Sequence, residues 1–211
     1  MTAQVRIFSL QGTLLKSFLA DSTLKTGIHV SATDLDGDGK AEIVTGSLAG
    51  GKPEVRVFDA RGNMQTHFLA YAESFRGGID VAAAAATDAT QATIVTSPGA
   101  GRSPQVREYS AQGVVLGQFT PYSTAFRGGV RVAVGEVSAE SAGPEVLTVP
   151  AGGGGPDFRV YSMQAQKLLQ LKTFETWWRG GYDIAAHSGF VALTSVTGGR
   201  RTSIRTLDLA E

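Results

Sequence analysis

A short strand-like segment recurs five times along this chain, and nothing else in it constrains the fold as tightly. Val5-Arg6-Ile7-Phe8 returns as Val55-Arg56-Val57-Phe58, Val106-Arg107-Glu108-Tyr109, Phe158-Arg159-Val160-Tyr161 and Ile204-Arg205-Thr206-Leu207, with spacings of 50, 51, 52 and 46 residues between starts. A period of this size belongs to architectures in which one supersecondary unit cannot bury its apolar face alone and stacks on its neighbours. After each copy comes a turn, as in Arg61-Gly62-Asn63 or Ala111-Gln112-Gly113, and then an apolar segment ending in an aromatic, such as Leu14-Leu15-Lys16-Ser17-Phe18. An aromatic and arginine signature follows: Tyr71 with Phe75-Arg76-Gly77-Gly78, Tyr122 with Phe126-Arg127-Gly128-Gly129, and Phe174 with Trp178-Arg179-Gly180-Gly181. In the first copy this signature is worn down to Asp21 with Leu24-Lys25-Thr26-Gly27. Two further β-branched segments close the unit, the last being Ile43-Val44-Thr45, Ile94-Val95-Thr96, Val146-Leu147-Thr148 and Ala192-Leu193-Thr194. Four short strands per unit of about 40–50 residues predict an all-β propeller of four-stranded antiparallel blades. One domain over 1–211 is expected, with repeats near 5–54, 55–105, 106–157 and 158–211.

The run Asp34-Leu35-Asp36-Gly37-Asp38-Gly39-Lys40-Ala41-Glu42 sets carboxylates at alternate positions, then a glycine, then a fourth carboxylate. Alternate side chains converge when the backbone curls, Gly39 permits the positive φ that the curl needs, and a carbonyl near Lys40 can complete the shell. A hard cation needing six to eight oxygens at about 2.3–2.6 Å suits this set, which favours Ca2+ over the stricter Mg2+. Asp and Gly are also ordinary turn residues, but four acidic side chains so close repel one another without a cation. The metal ligands expected are therefore Asp34, Asp36, Asp38, Lys40 and Glu42. An EF-hand is excluded, because its twelfth position is Thr45 here and the flanks are β-branched with no helical period. Aligned copies are poorer. The second has Ala85, Thr87, Ala89 and Thr93, and the fourth is cut to His187-Ser188-Gly189. The third, Glu136, Ser138, Glu140 and Glu145 with one residue inserted, leaves room for a weak or distorted site. One good calcium site is expected.

These units resemble the FG-GAP/VCBS repeats of integrin-like β-propellers. The likeness rests on the Phe-Arg-Gly-Gly elements, the acidic loop and the Gly-Pro-rich approach to each Val-Arg-Val-Phe strand, and it covers nearly the whole chain. It implies calcium on a strand-to-strand turn of a blade. It also implies a non-catalytic extracellular or cell-surface module for binding, adhesion or scaffolding, with a protein or glycan ligand. A carbohydrate-active module, either a lectin or the calcium-stabilised propeller of a polysaccharide lyase, stays open as an alternative.

Charge is balanced at 19 basic and 19 acidic residues, so no electrostatic footprint argues for nucleic acid. The absence of cysteine excludes disulfides and thiolate metal sites. No apolar run reaches the ~18 residues of a membrane span, and the first residues lack a signal-peptide pattern. The Val-Arg-Val-Phe strand occurs five times where the other elements occur four times. Either a four-bladed ring closes with one strand left over, or the chain is a piece of a longer propeller, and the second account is the expectation here. It carries with it self-association or pairing with upstream blades.

Other candidates are weaker. Arg6, Arg56, Arg107, Arg159 and Arg205 share one repeat position that faces opposite to its neighbours, which fits a solvated or inter-blade place better than a ring reading carboxylates or sulfated sugars. Arg76, Arg127 and Arg179 precede Gly-Gly. They suit bonding to blade carbonyls, with ligand binding as the speculative reading. Trp177 aligns with Ser74 and Ala125, and so is expected outside as an aromatic available to a sugar or a partner. The glycine run Ala151 to Gly155 lacks the Lys-Ser/Thr of a phosphate loop and leads into a strand. Histidines 29, 67 and 187 are scattered, and no nucleophile elbow or zinc-protease motif occurs. A pair of glycosidase carboxylates meets only in three dimensions and stays open. The expectation is no enzyme.

Overall fold

The computed structural model describes residues 2–87, 91–138, 143–196 and 203–209, in which seventeen strands and no helix occur. The first two strands, β1 (Ala3–Phe8) and β2 (Leu14–Asp21), form a hairpin of their own. Next, β3 (Ile28–Thr33), β4 (Glu42–Ser47), β5 (Glu54–Phe58) and β6 (Met64–Leu69) form a sheet in sequential order. The same order holds for β7 (Ile79–Ala84), β8 (Thr93–Pro98), β9 (Val106–Tyr109) and β10 (Val115–Phe119). It holds again for β11 (Val130–Gly135), β12 (Glu145–Pro150), β13 (Asp157–Ser162) and β14 (Lys167–Lys172). A last sheet contains β15 (Tyr182–His187), β16 (Phe190–Ser195) and β17 (Ile204–Asp208). All pairings are antiparallel, as expected when short turns join consecutive strands.

Each of the last four sheets is a blade of a four-bladed β-propeller. The first strand of each blade packs beside that of the next, β3 on β7, β7 on β11 and β11 on β15. Burial peaks at the second strand, where β4, β8 and β12 are buried along their whole length, and falls to mostly exposed outer strands such as β6 and β14. Such strands, covered on both faces, read as continuous apolar runs instead of alternating ones. The repeated Val-Arg-Val-Phe segment is thus the third strand of a blade, and each blade begins half a repeat later, just past the Arg-Gly-Gly element.

The cores lie between blades. Val44, Val55 and Val57 of the first blade meet Ile79, Val81, Ile94 and Tyr109 of the second. Val95 and Val106 meet Val130, Val146 and Tyr161, and Leu147, Phe158 and Val160 meet Tyr182, Val191 and Leu193. An aromatic of the outer strand packs on the third strand of the next blade at two junctions: Phe68 of β6 on Tyr109 at 4.7 Å and Phe119 of β10 on Tyr161 at 4.5 Å. Phe18 of β2 packs in the same way on Phe58, at 5.0 Å, so the β1–β2 hairpin stands where the outer half of a preceding blade would. Gly113 shows how tight this joint is: its φ is +82°, and a Cβ there would lie 2.5 Å from the Phe68 ring. At the fourth join, β15 and β3 are not among the closely packed pairs.

Candidate functional site

The acidic run is the turn from β3 to β4, closed by the Thr33–Glu42 register pair. Its curl is built from the carboxylates themselves. Asp34 accepts the N–H of Gly37 at 2.7 Å on one oxygen and that of Gly39 at 2.9 Å on the other. Both glycines have positive φ, 81° and 82°, a conformation that costs glycine little. Glu42, buried at the start of β4, accepts the N–H of Leu35 at 2.8 Å and ties the loop to the sheet. Asp36 accepts the N–H of Asp38 at 3.1 Å.

Of the ligands expected from sequence, Asp34, Asp36 and Glu42 are brought together, with one oxygen of each lying within 4.8 Å of the others. Asp38 is held apart from this trio by Lys40, whose Nζ lies 2.8 Å from it, and the ammonium keeps the Asp38 carboxyl below the usual carboxylate range. Lys40 thus enters through its side chain, which leaves only its carbonyl available to a cation. An all-oxygen set of three carboxylates on a loop rich in carbonyls fits a hard divalent ion such as calcium. The third blade repeats the anchoring feature. Glu145 is fully buried, accepts the N–H of Val137 at 2.8 Å as Glu42 does that of Leu35, and has its second oxygen buried without a hydrogen-bond partner. Glu136 and Ser138 flank Val137 in the chain, whereas Glu140, like Ala89 of the second copy, lies outside the described residues.

The glycine-preceding arginines turn inward on their own loops. Arg76 donates through Nη1 to the carbonyls of Glu73 and, at 2.9 Å, Phe75. Arg127 does the same to Thr124 and Phe126, and Arg179 to Thr176 and Trp178. Trp177 is 66% exposed and stands edge-on to Trp178 at 6.1 Å.

A polar cluster that the sequence reading missed lies where the inner strands meet. His29, Asp80, Arg131 and Asp183 are the second residues of β3, β7, β11 and β15. His29 Nδ1 is 3.2 Å from Asp80, and Arg131 Nη1 donates to His29 Nε2 at 2.6 Å. A guanidinium has no acceptor, so Nε2 must be the bare nitrogen and the neutral ring carries its proton on Nδ1. Burial lowers the His29 pKa, and Arg131 pushes it the same way. Asp80 also accepts the N–H of Val132 at 3.0 Å, stitching β7 to β11, and burial raises its pKa. The available signal was alignment of the inner strands at their second residue, not the scatter of histidines.

No curated protein matches the chain. Residues 26–58, which span β3 to β5 and the whole acidic loop, match the family model of the FG-GAP repeat. The chain is a β-propeller that carries an FG-GAP repeat in its first blade.

Proposed function

We propose that this chain is a calcium-stabilised, non-catalytic propeller module that holds a protein or glycan partner outside the cell or at its surface. The convergence of Asp34, Asp36 and Glu42 on one turn carries this reading. The carboxylates are pre-set by the loop's own hydrogen bonds, so binding an ion costs little rearrangement and braces the first blade. Loops of this type take calcium at about 10⁻⁴–10⁻³ M, a level met outside cells. Support for binding over catalysis comes from where the strongly perturbed groups lie: Asp80 is buried between blades and engaged by His29 and the Val132 N–H, and Glu108 is buried in its blade.

A ligand that binds only the folded state stabilises it by RT ln(1 + [L]/Kd), about 2.7 kcal/mol at a hundredfold excess. Millimolar calcium is expected to raise Tm by several degrees in differential scanning fluorimetry. Asp36→Ala removes most of that rise, and Glu175→Ala, an exposed carboxylate elsewhere, keeps it. Equal responses in wild type and Asp36→Ala would overturn the assignment.

A further inference from the structure

The aromatic seal used between later blades is absent where the β1–β2 hairpin meets the first blade, and a cleft stands in its place. Between the first and second blades, Tyr71 is buried, donates its hydroxyl to the Gln105 carbonyl at 2.8 Å, stands edge-on to Phe75 and lies under the Arg102 guanidinium, 4.1 Å from the ring centre. At the next junction Tyr122 donates to the Asp157 carbonyl at 2.9 Å, stands edge-on to Phe126 and lies under Arg159. The carbonyl just before each ring accepts the next blade's arginine, Ala70 from Arg107 and Pro121 from Arg159. Ala20 accepts Arg56 in the same way at 2.5 Å, so Asp21 occupies the ring's position, and Leu24 stands where Phe75 and Phe126 stand elsewhere.

Asp21 cannot fill that seat. One oxygen folds back to the N–H groups of Thr23 and Leu24, and the other lies 2.8 Å from Arg56. A small void remains beside Thr45, Glu54 and Arg56. It adjoins a cleft of about 570 Å³, against about 290 Å³ at the Tyr122 junction. The larger volume lies within the range of small-molecule sites, roughly 300–1,000 Å³.

The chemistry of the cleft is uneven. On its floor Arg56 is flanked by Asp21 and Glu54 at 2.8 Å each, so the charges there nearly cancel. Its rim carries Lys25, Lys52 and Arg76. Lys52 pairs with Glu73, Arg76 uses Nη1 on its own turn, and Lys25 is exposed with no ion pair among the described residues. No aromatic side chain lines the cleft, and Leu24 is its one large apolar residue. Cations at the rim suit a ligand's carboxylate or sulfate, while carboxylates and hydroxyls below suit its hydroxyl groups. An acidic peptide would find the cations but no apolar wall for its other side chains.

We propose that this cleft binds an acidic sugar of the uronic-acid type within an oligosaccharide, an inference that rests on reading the chain as a binding module. Isothermal titration in calcium-saturated buffer with trigalacturonate, maltotriose and a triglutamate peptide tests it. Trigalacturonate is expected to bind one per chain, about tenfold or more tighter than maltotriose or the triglutamate peptide. Lys25→Glu, a change at an exposed position, weakens it about tenfold or more. Asp21→Tyr with Leu24→Phe, which rebuilds the seal of the other junctions, abolishes binding and raises Tm. Glu175→Ala, which removes an exposed carboxylate that does not line the cleft, leaves the affinity unchanged. No binding of trigalacturonate, equal binding by Lys25→Glu, or tighter binding of the peptide would overturn the proposal. Calcium-dependent stabilisation retained in that case would leave the module reading standing.

Discussion

Glu108 occupies a position that the neighbouring repeats give to Val57 and Val160, on the third strand of its blade. It is buried, one of its oxygens has no hydrogen-bond partner, and Gly117 across the strand pair makes room for it, since a Cβ there would lie 2.7 Å from the carboxylate. Burial raises its pKa from 4.5 to about 7. A carboxyl raised in this way is protonated in the folded chain when it would be ionised in the unfolded one. Its cost to folding is therefore absent in acid, grows as pH rises from about 4.5 through 7, and is complete above that. Glu108→Val is expected to stabilise the protein at pH 9 by on the order of 2–3 kcal/mol and to have far less effect at pH 5, as read by urea denaturation. A gain that does not change with pH would show that the carboxyl is not the cause. The departure itself is legible in Val106-Arg107-Glu108-Tyr109, but its consequence needs the neighbouring blade that dries the site.

At the scale of the strand, the repeated arginine is a tether between blades. Arg107 donates to the Ala70 carbonyl of the preceding blade at 2.9 Å and lies 5.0 Å above the Tyr71 ring. Arg159 and Arg56 make the same reach to Pro121 and Ala20, and Arg205 lies over Phe174 at 4.9 Å. Arg6 holds the same repeat position on β1, but it is exposed, and among the described residues its hydrogen bond goes to Gln4 on its own strand. Arg107→Ala is therefore expected to cost about 1–3 kcal/mol, and Arg6→Ala close to nothing. Thermal melts separate these by several degrees. Equal small losses in both would show that the carbonyl contact contributes nothing. Strand alternation already placed these arginines opposite the core residues, whereas the choice between solvent, ligand and neighbouring blade depended on the inter-blade geometry.

For the whole molecule, the unresolved competition at sequence level was between β1 and β17, which carry the same signature. In the structure β17 takes the third-strand place on β16, and β1 pairs with β2 beside the first blade. The fourth blade therefore has three described strands, with β17 at its edge. Ile204 on that edge is 70% exposed. An exposed apolar edge is a template for another strand. Concentration-dependent self-association in sedimentation velocity is expected, and Ile204→Lys, which places a charge on the edge, shifts the protein toward monomer. A monomer at every concentration would show that the edge is protected.

What the sequence determined by itself was whatever depends on neighbours along the chain: the repeat period, four strands per unit, the tight glycine turns and the acidic curl at 34–42. Each arises from local backbone preference or from side chains a few residues apart. The tertiary structure decided what depends on residues about fifty positions apart or more. It set the start of each blade half a repeat beyond the recurring segment, and it drew His29, Asp80 and Arg131 from separate strands into one cluster. It also left a cleft where Asp21 replaces a ring. Those outcomes follow from blade stacking, which buries some members of a repeat position and exposes others although the local sequence pattern is nearly the same.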